Sequence, residues 1–134
     1  RSTHCISSAA SDVYKRQLQK FMASNSIQEL EKRYPEIAQE YKRIAGEQYT
    51  LFAAKMLDYG KGNISVGSNL ETPEEVKLSL TGLWFRMTDK MNRLKNLVLL
   101  NQSPNVATES VTDTFQDMSI YGIIAQIVQN GKWK

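Results

Sequence analysis

Three carboxylates at a strict four-residue spacing, Glu109, Asp113 and Asp117, run into Ile120, Ile124 and Val128 on one side of a single helical stretch. Residues four apart on a helix are neighbours, so three acidic neighbours repel by about 0.2–0.5 kcal/mol per pair, and a purely solvated stripe is a poor choice. A bound cation, or basic residues on a facing helix, removes that repulsion. The second half of the same stretch, Ile120 to Val128, is apolar around most of its girth. Such a helix is expected to bury more than one side, and a homodimer would supply the second layer.

The rest of the chain repeats the helical period. Ser26-Ile27-Gln28-Glu29 has the spacing of a capping box and implies a short first helix that stops before Pro35. Ile37, Tyr41, Ile44, Gln48, Leu51, Phe52 and Met56 recur every three or four residues, which predicts a helix from Pro35 to about Asp58. Residues 60–71 hold three glycines with Asn63, Ser65, Ser68 and Asn69, a loop composition. Thr72-Pro73-Glu74-Glu75 then combines an N-cap, a proline at the first helical position and a capping glutamate. The helix begun there carries Leu80, Leu83, Trp84, Met87, Met91, Leu94 and Val98 and is expected to end before Ser103-Pro104. Thr108 is the expected cap of the last helix, and Gly131 marks its end. With no alternating strand pattern, the expectation is an all-α bundle of three main helices plus one short N-terminal helix, dimeric.

Composition excludes several chemistries once the beginning of the chain is set apart. Asp12-Val13-Tyr14-Lys15-Arg16-Gln17 reads as a translated transposase mosaic end, so residues 1–17 resemble a sequencing-adapter scar from a metagenomic library. The lone histidine, His4, and the lone cysteine, Cys5, both fall in it. The native part, residues 18–134, is then one helical domain with neither residue type, which removes Cys/His zinc sites, thiol catalysis and histidine general base chemistry. Setting aside Arg1, Lys15, Arg16 and Asp12 lowers the formal net charge from +3 to +1. A charge near +1 with no basic run offers little to a DNA backbone. No apolar run approaches a membrane span, so a cytoplasmic protein without membrane partners is expected.

What remains is carboxylate and cation chemistry. On the third main helix Arg86, Asp89, Lys90 and Arg93 form a mixed-charge stripe beside the apolar one, and Lys55 and Asp58 lead into the Asp58-Tyr59-Gly60 turn. Carboxylate oxygens that hold Mg²⁺, with lysine or arginine against phosphate, are the chemistry this set suits. In that reading Glu109, Asp113 and Asp117 are catalytic and hold the metal, with Asp89 as a fourth ligand. Lys55, Asp58, Tyr59, Arg86, Lys90, Arg93 and Tyr121 would contact a nucleotide. The competing reading is an ordinary salt-bridge network between the last helix and Arg86, Lys90 and Arg93. Gly60-Lys61-Gly62-Asn63 lacks the spacing of a phosphate-binding P-loop and reads as a turn.

The ordered motifs Asp58-Tyr59-Gly60, Arg86-x-x-Asp89-Lys90-x-x-Arg93 and Glu109-Ser110-x-x-Asp113-Thr114-x-x-Asp117-x-x-x-Tyr121 resemble the phage-type nucleotide-modification-associated domain, first type, over about Glu47 to Trp133. That resemblance implies a place in phage or prophage nucleotide metabolism, in the host cytoplasm. A weaker similarity is to all-α nucleoside triphosphate pyrophosphohydrolases of the MazG kind, which implies Mg²⁺-dependent hydrolysis of a deoxynucleoside triphosphate. The chain differs from that kind in lacking a doubled ExxE on an earlier helix and in spacing Glu109-x-x-x-Asp113 one residue wider. A non-catalytic nucleotide-binding or accessory protein for a nucleotide-modifying enzyme is the alternative.

Overall fold

The computed structural model describes the backbone from His4 to Lys134 and the side chains from Ser11 onward. Residues 1–3 of the adapter-like segment, and the side chains of His4 and Cys5, lie outside the described residues. Every regular element among the described residues is helical: α1 (His4–Arg33), α2 (Pro35–Tyr59), the one-turn α3 (Gly62–Ser65), α4 (Pro73–Leu94) and α5 (Val111–Gln129), with a π-helical segment at Lys95–Leu99. The all-α expectation therefore holds. The count differs from three main helices and a short N-terminal one, because four helices are long and the short one sits between α2 and α4. No described helix is long and apolar enough to cross a membrane.

The first helix departs most from expectation. Ser26 does not cap it; its hydroxyl donates back to the Met22 carbonyl at 2.9 Å, as a serine inside a helix does. From His4 to Arg33 there is neither glycine nor proline to interrupt the ladder, and α1 runs through. Pro35 is the first breaker, since its ring nitrogen donates nothing and disfavours helical geometry before it.

The chain forms two compact units, residues 1–47 and 48–134, with the division inside α2. In the first, α1 and α2 meet at a bend on Pro35. Tyr34 N still donates to Leu30 O at 2.8 Å and Ala38 N to Tyr34 O at 3.0 Å, so the ladder is interrupted only around the proline. Lys42 forms an ion pair with Glu31, eleven residues earlier. Along a straight helix that separation is about 16 Å, beyond the reach of the two side chains, so the pair closes across the bend.

In the second unit Ile64, Leu83, Ile120, Ile124, Val128 and Trp133 bury together, with Leu51, Phe52 and Met56 of α2 packed against them. Each fully buried aliphatic side chain contributes about 1.5–3 kcal/mol, so this cluster fixes how α2, α4 and α5 pack. Both main helix starts carry reciprocal caps. Glu75 N donates to Thr72 Oγ1 at 3.2 Å while Glu75 Oε2 accepts from Thr72 N at 3.3 Å. On α5 the cap is Ser110 rather than Thr108: Asp113 N donates to Ser110 Oγ at 3.1 Å, and Asp113 Oδ2 accepts from Ser110 N at 2.7 Å. Glu109 consequently precedes α5 instead of belonging to it. Beyond α5, Gly131 adopts φ of 65°, as expected of a residue just past a helix end.

The segment 60–71 is more ordered than its composition implies. Ser79, almost wholly buried on α4, donates to Ile64 O at 2.7 Å. Arg86 Nη2 donates to both Asn63 O and Asn63 Oδ1, and the Trp133 indole N–H donates to Lys61 O at 3.0 Å. Three side chains from α4 and the C-terminal segment thus pin the turn of α3.

Candidate functional site

The charged residues of α4 and α5 divide into two sets. The first is a lattice at the head of α5. Lys90 Nζ lies 2.8 Å from Glu109 Oε1 and 2.9 Å from Asp117 Oδ2, and the other oxygen of Asp117 takes Lys55 Nζ at 3.1 Å. Arg93 does different work: its guanidinium donates to Glu109 O at 2.6 Å, to Ser110 O at 3.1 Å and to Thr114 Oγ1. Thr114 is fully buried. Arg93 therefore clamps the turn that leads into α5, with its Nη1 3.7 Å from the Glu109 carboxylate.

This pairing sets the electrostatics. The hydrogen bond from Lys90 holds the Glu109 carboxyl below the ordinary range. Burial pushes Asp117 up, but hydrogen bonds from Lys90 and Lys55 outweigh it and the net direction is down. Asp113 is lowered by the Ser110 backbone N–H and then by the Ser110 hydroxyl. Lys90 is raised, by Glu109 first and Asp117 second. All four groups are held in their charged forms.

The second set lines a cleft of about 290 Å³ in the 48–134 unit. Lys55, Met56, Tyr59 and Gly60 come from the end of α2, Asn63 and Ile64 from α3, Arg86 from α4, Asp117 and Tyr121 from α5, and Trp133 from the C-terminal segment. Its walls are mainly apolar and aromatic, with Phe52 and Trp133 in edge-to-face contact at 6.3 Å. The charged groups on it are Lys55, Arg86 and Asp117. Lys55 is paired with Asp117, whereas Arg86 has no carboxylate partner among the described residues and uses Nη2 on Asn63, leaving donors on Nε and Nη1. The cleft therefore carries a net positive charge.

The expected site residues fall on both sides of this division. Lys55, Tyr59, Arg86, Asp117 and Tyr121 come together in the cleft. Lys90 stands behind it as the partner of Asp117, and Arg93 is taken up by the α5 clamp. Asp58 and Asp89 are exposed, and neither lines the cleft. The four residues expected to hold Mg²⁺ do not converge as a ligand set: Asp113 is used as a helix cap, Glu109 by Lys90, both oxygens of Asp117 by lysines, and Asp89 sits apart. Among the described residues no group of three or more acidic, histidine or cysteine side chains is arranged to hold a metal ion. Asp117 is the only proposed metal ligand that lines the cleft.

Sequence reasoning missed Asn63, Phe52 and Trp133 as cleft residues. Asn63 lay in view, in the Gly60–Asn63 turn. Trp133 gave no periodic signal, since it follows Gly131 outside any helix. Compared with protein-family models, with curated proteins and with solved structures, the chain finds no match.

Proposed function

We propose that residues 48–134 bind a nucleoside phosphate in this cleft, as a nucleotide-binding or accessory protein for a nucleotide-modifying enzyme. The observation that carries the reading is Arg86: a half-buried guanidinium, oriented by Asn63, with donors to spare and no carboxylate partner among the described residues, at the wall of an aromatic-lined cavity. A phosphate is the ligand such a donor fork suits. Tyr59 and Tyr121 offer flat faces and hydroxyls to the nucleoside, and Lys55 can leave Asp117 for a second phosphate. A volume of 290 Å³ sits at the lower end of small-molecule sites, which suits a nucleoside with its phosphates toward solvent. The motif resemblance to the nucleotide-modification-associated domain points to the same ligand class.

Mg²⁺-dependent hydrolysis of a deoxynucleoside triphosphate is the second reading, and the position of Asp117 in the cleft favours it. It requires Glu109 and Asp113 to give up their present partners. The test is a panel of canonical and modified deoxynucleoside mono- and triphosphates, with and without Mg²⁺, followed by thermal shift, calorimetry and pyrophosphate release. Binding that Arg86→Met abolishes, with no release, supports the accessory reading. Mg²⁺-dependent pyrophosphate release would replace it with the hydrolase, and failure of every nucleotide to bind would overturn both.

A further inference from the structure

The unit of residues 1–47 carries a second feature, independent of the cleft. Ile27, Leu30, Tyr34, Ile37, Tyr41 and Ile44 follow one another at intervals of three, four, three, four and three, the a/d repeat of a coiled-coil seam. Comparable runs on α4 (Val76, Leu80, Leu83) and α5 (Ile120, Ile124, Val128) are turned into the core. The α1–α2 run instead stands in water, with exposures from 39% at Ile44 to 74% at Tyr41. Pro35 lies off the seam, so the bend leaves the apolar series unbroken.

A second copy of the same surface fits this pattern. Intervals of three, four, three, four, three read the same from either end, so a copy related by a two-fold axis presents a matching series. The midpoint falls between Tyr34 and Ile37, at the Pro35 bend, which lets each arm of one bent helix lie along the opposite arm of the other. Arg33 and Glu40, one on each arm beside the seam and ion-paired on its own arm with Glu29 and Arg43 respectively, then approach across the axis with opposite charge. Six side chains leaving on the order of 100 Å² each in water approach the roughly 800 Å² per partner of a standard interface.

We infer that this seam is a self-association surface on which a second copy of the chain lies antiparallel. Ile27 of one copy packs on Ile44 of the other, Leu30 on Tyr41, and Tyr34 on Ile37. The test is sedimentation velocity on the full chain together with disulfide trapping in a Cys5→Ser background. The expected result is a dimer whose dissociation constant rises on the order of 100-fold in Ile37→Lys, with helix content by circular dichroism unchanged. Ile44→Lys serves as the second variant should Ile37→Lys lose helix. Mixing Leu30→Cys protein with Tyr41→Cys protein should give a cross-linked dimer that neither gives alone. A monomer at about 100 μM, or a dimer indifferent to both lysine variants, overturns the inference. So does self-linking of Leu30→Cys alone, which requires parallel chains.

Discussion

Lys90 places its ammonium 2.9 Å from Asp117 while also holding Glu109 at 2.8 Å, so one half-buried cation serves two carboxylates at the head of α5. The acidic repulsion written into the Glu109, Asp113, Asp117 spacing is thus relieved by lysine, arginine and a helix cap. Lys90→Met should lower stability by about 1–2 kcal/mol, between the value of an exposed pair and that of a fully buried one. Urea denaturation of the wild type and the variant measures it. An unchanged midpoint would mean that solvent replaces the lysine without cost.

The pH dependence has two limbs. Glu109, Asp113 and Asp117 are all lowered from their ordinary values of 4.5 and 3.8, so their contribution is present above those values and is lost as pH falls through the lower folded-state values. Lys90 is raised from 10.5, so its contribution is present below that pH and is lost as pH rises past it. Melting temperature should therefore be flat through the neutral range and fall below about pH 4 and above about pH 10.5. Asp117→Asn should flatten part of the acid limb, which thermal scans across pH would show directly.

Arg93 and Arg86 stand seven residues apart on α4, yet the structure gives them different work. Arg93→Lys cannot reproduce a planar fork that reaches Glu109 O, Ser110 O and Thr114 Oγ1, and should cost about 1–3 kcal/mol of stability while leaving cleft affinity unchanged. Arg86→Met should weaken nucleotide binding by about 10–100-fold, the value of a lost charged hydrogen bond. Calorimetry and denaturation on both variants test the separation. Equal loss of affinity in the two would place Arg93 at the ligand after all.

The helix starts show which signals are legible in sequence. Thr72 to Glu75 was readable because a capping box and its proline lie within four residues and need no tertiary information. Ser110 to Asp113 has the same local signature, but the four-residue spacing of the carboxylates draws the expected helix start to Thr108 and hides the part Asp113 plays in the cap. Of the residues that sequence grouped as a site, Lys55, Tyr59, Arg86, Asp117 and Tyr121 line one cleft. Sequence could not separate Arg86 from Lys90 and Arg93, which share a stripe. Their partners depend on the rotation of α4 about its axis, set by Leu83 and Ser79 packing against distant residues. Trp133 was invisible for a related reason, as its place comes from contacts distant in sequence: burial beside Ile64 and Leu83, the ring of Phe52, and a hydrogen bond to Lys61, 72 positions away.

Val66 ends α3 at φ of 54°, a left-handed conformation that crowds the branched Cβ against its own backbone. The side chain is half exposed, so little packing offsets the strain. Its neighbours explain how the conformation persists: Ser79 holds Ile64 O, and Ser68 Oγ donates to Ser65 O at 2.8 Å, fixing the chain on both sides of the turn. Val66→Gly removes the Cβ where the backbone already demands its absence, against a greater loss of freedom on folding. The balance should be a gain of about 0.5–1 kcal/mol, a rise of a few degrees in melting temperature. Nucleotide affinity should not change, since Val66 does not line the cleft. A lower melting temperature in Val66→Gly would mean that residue 66 leaves the left-handed conformation in solution and that the α3 turn is held differently.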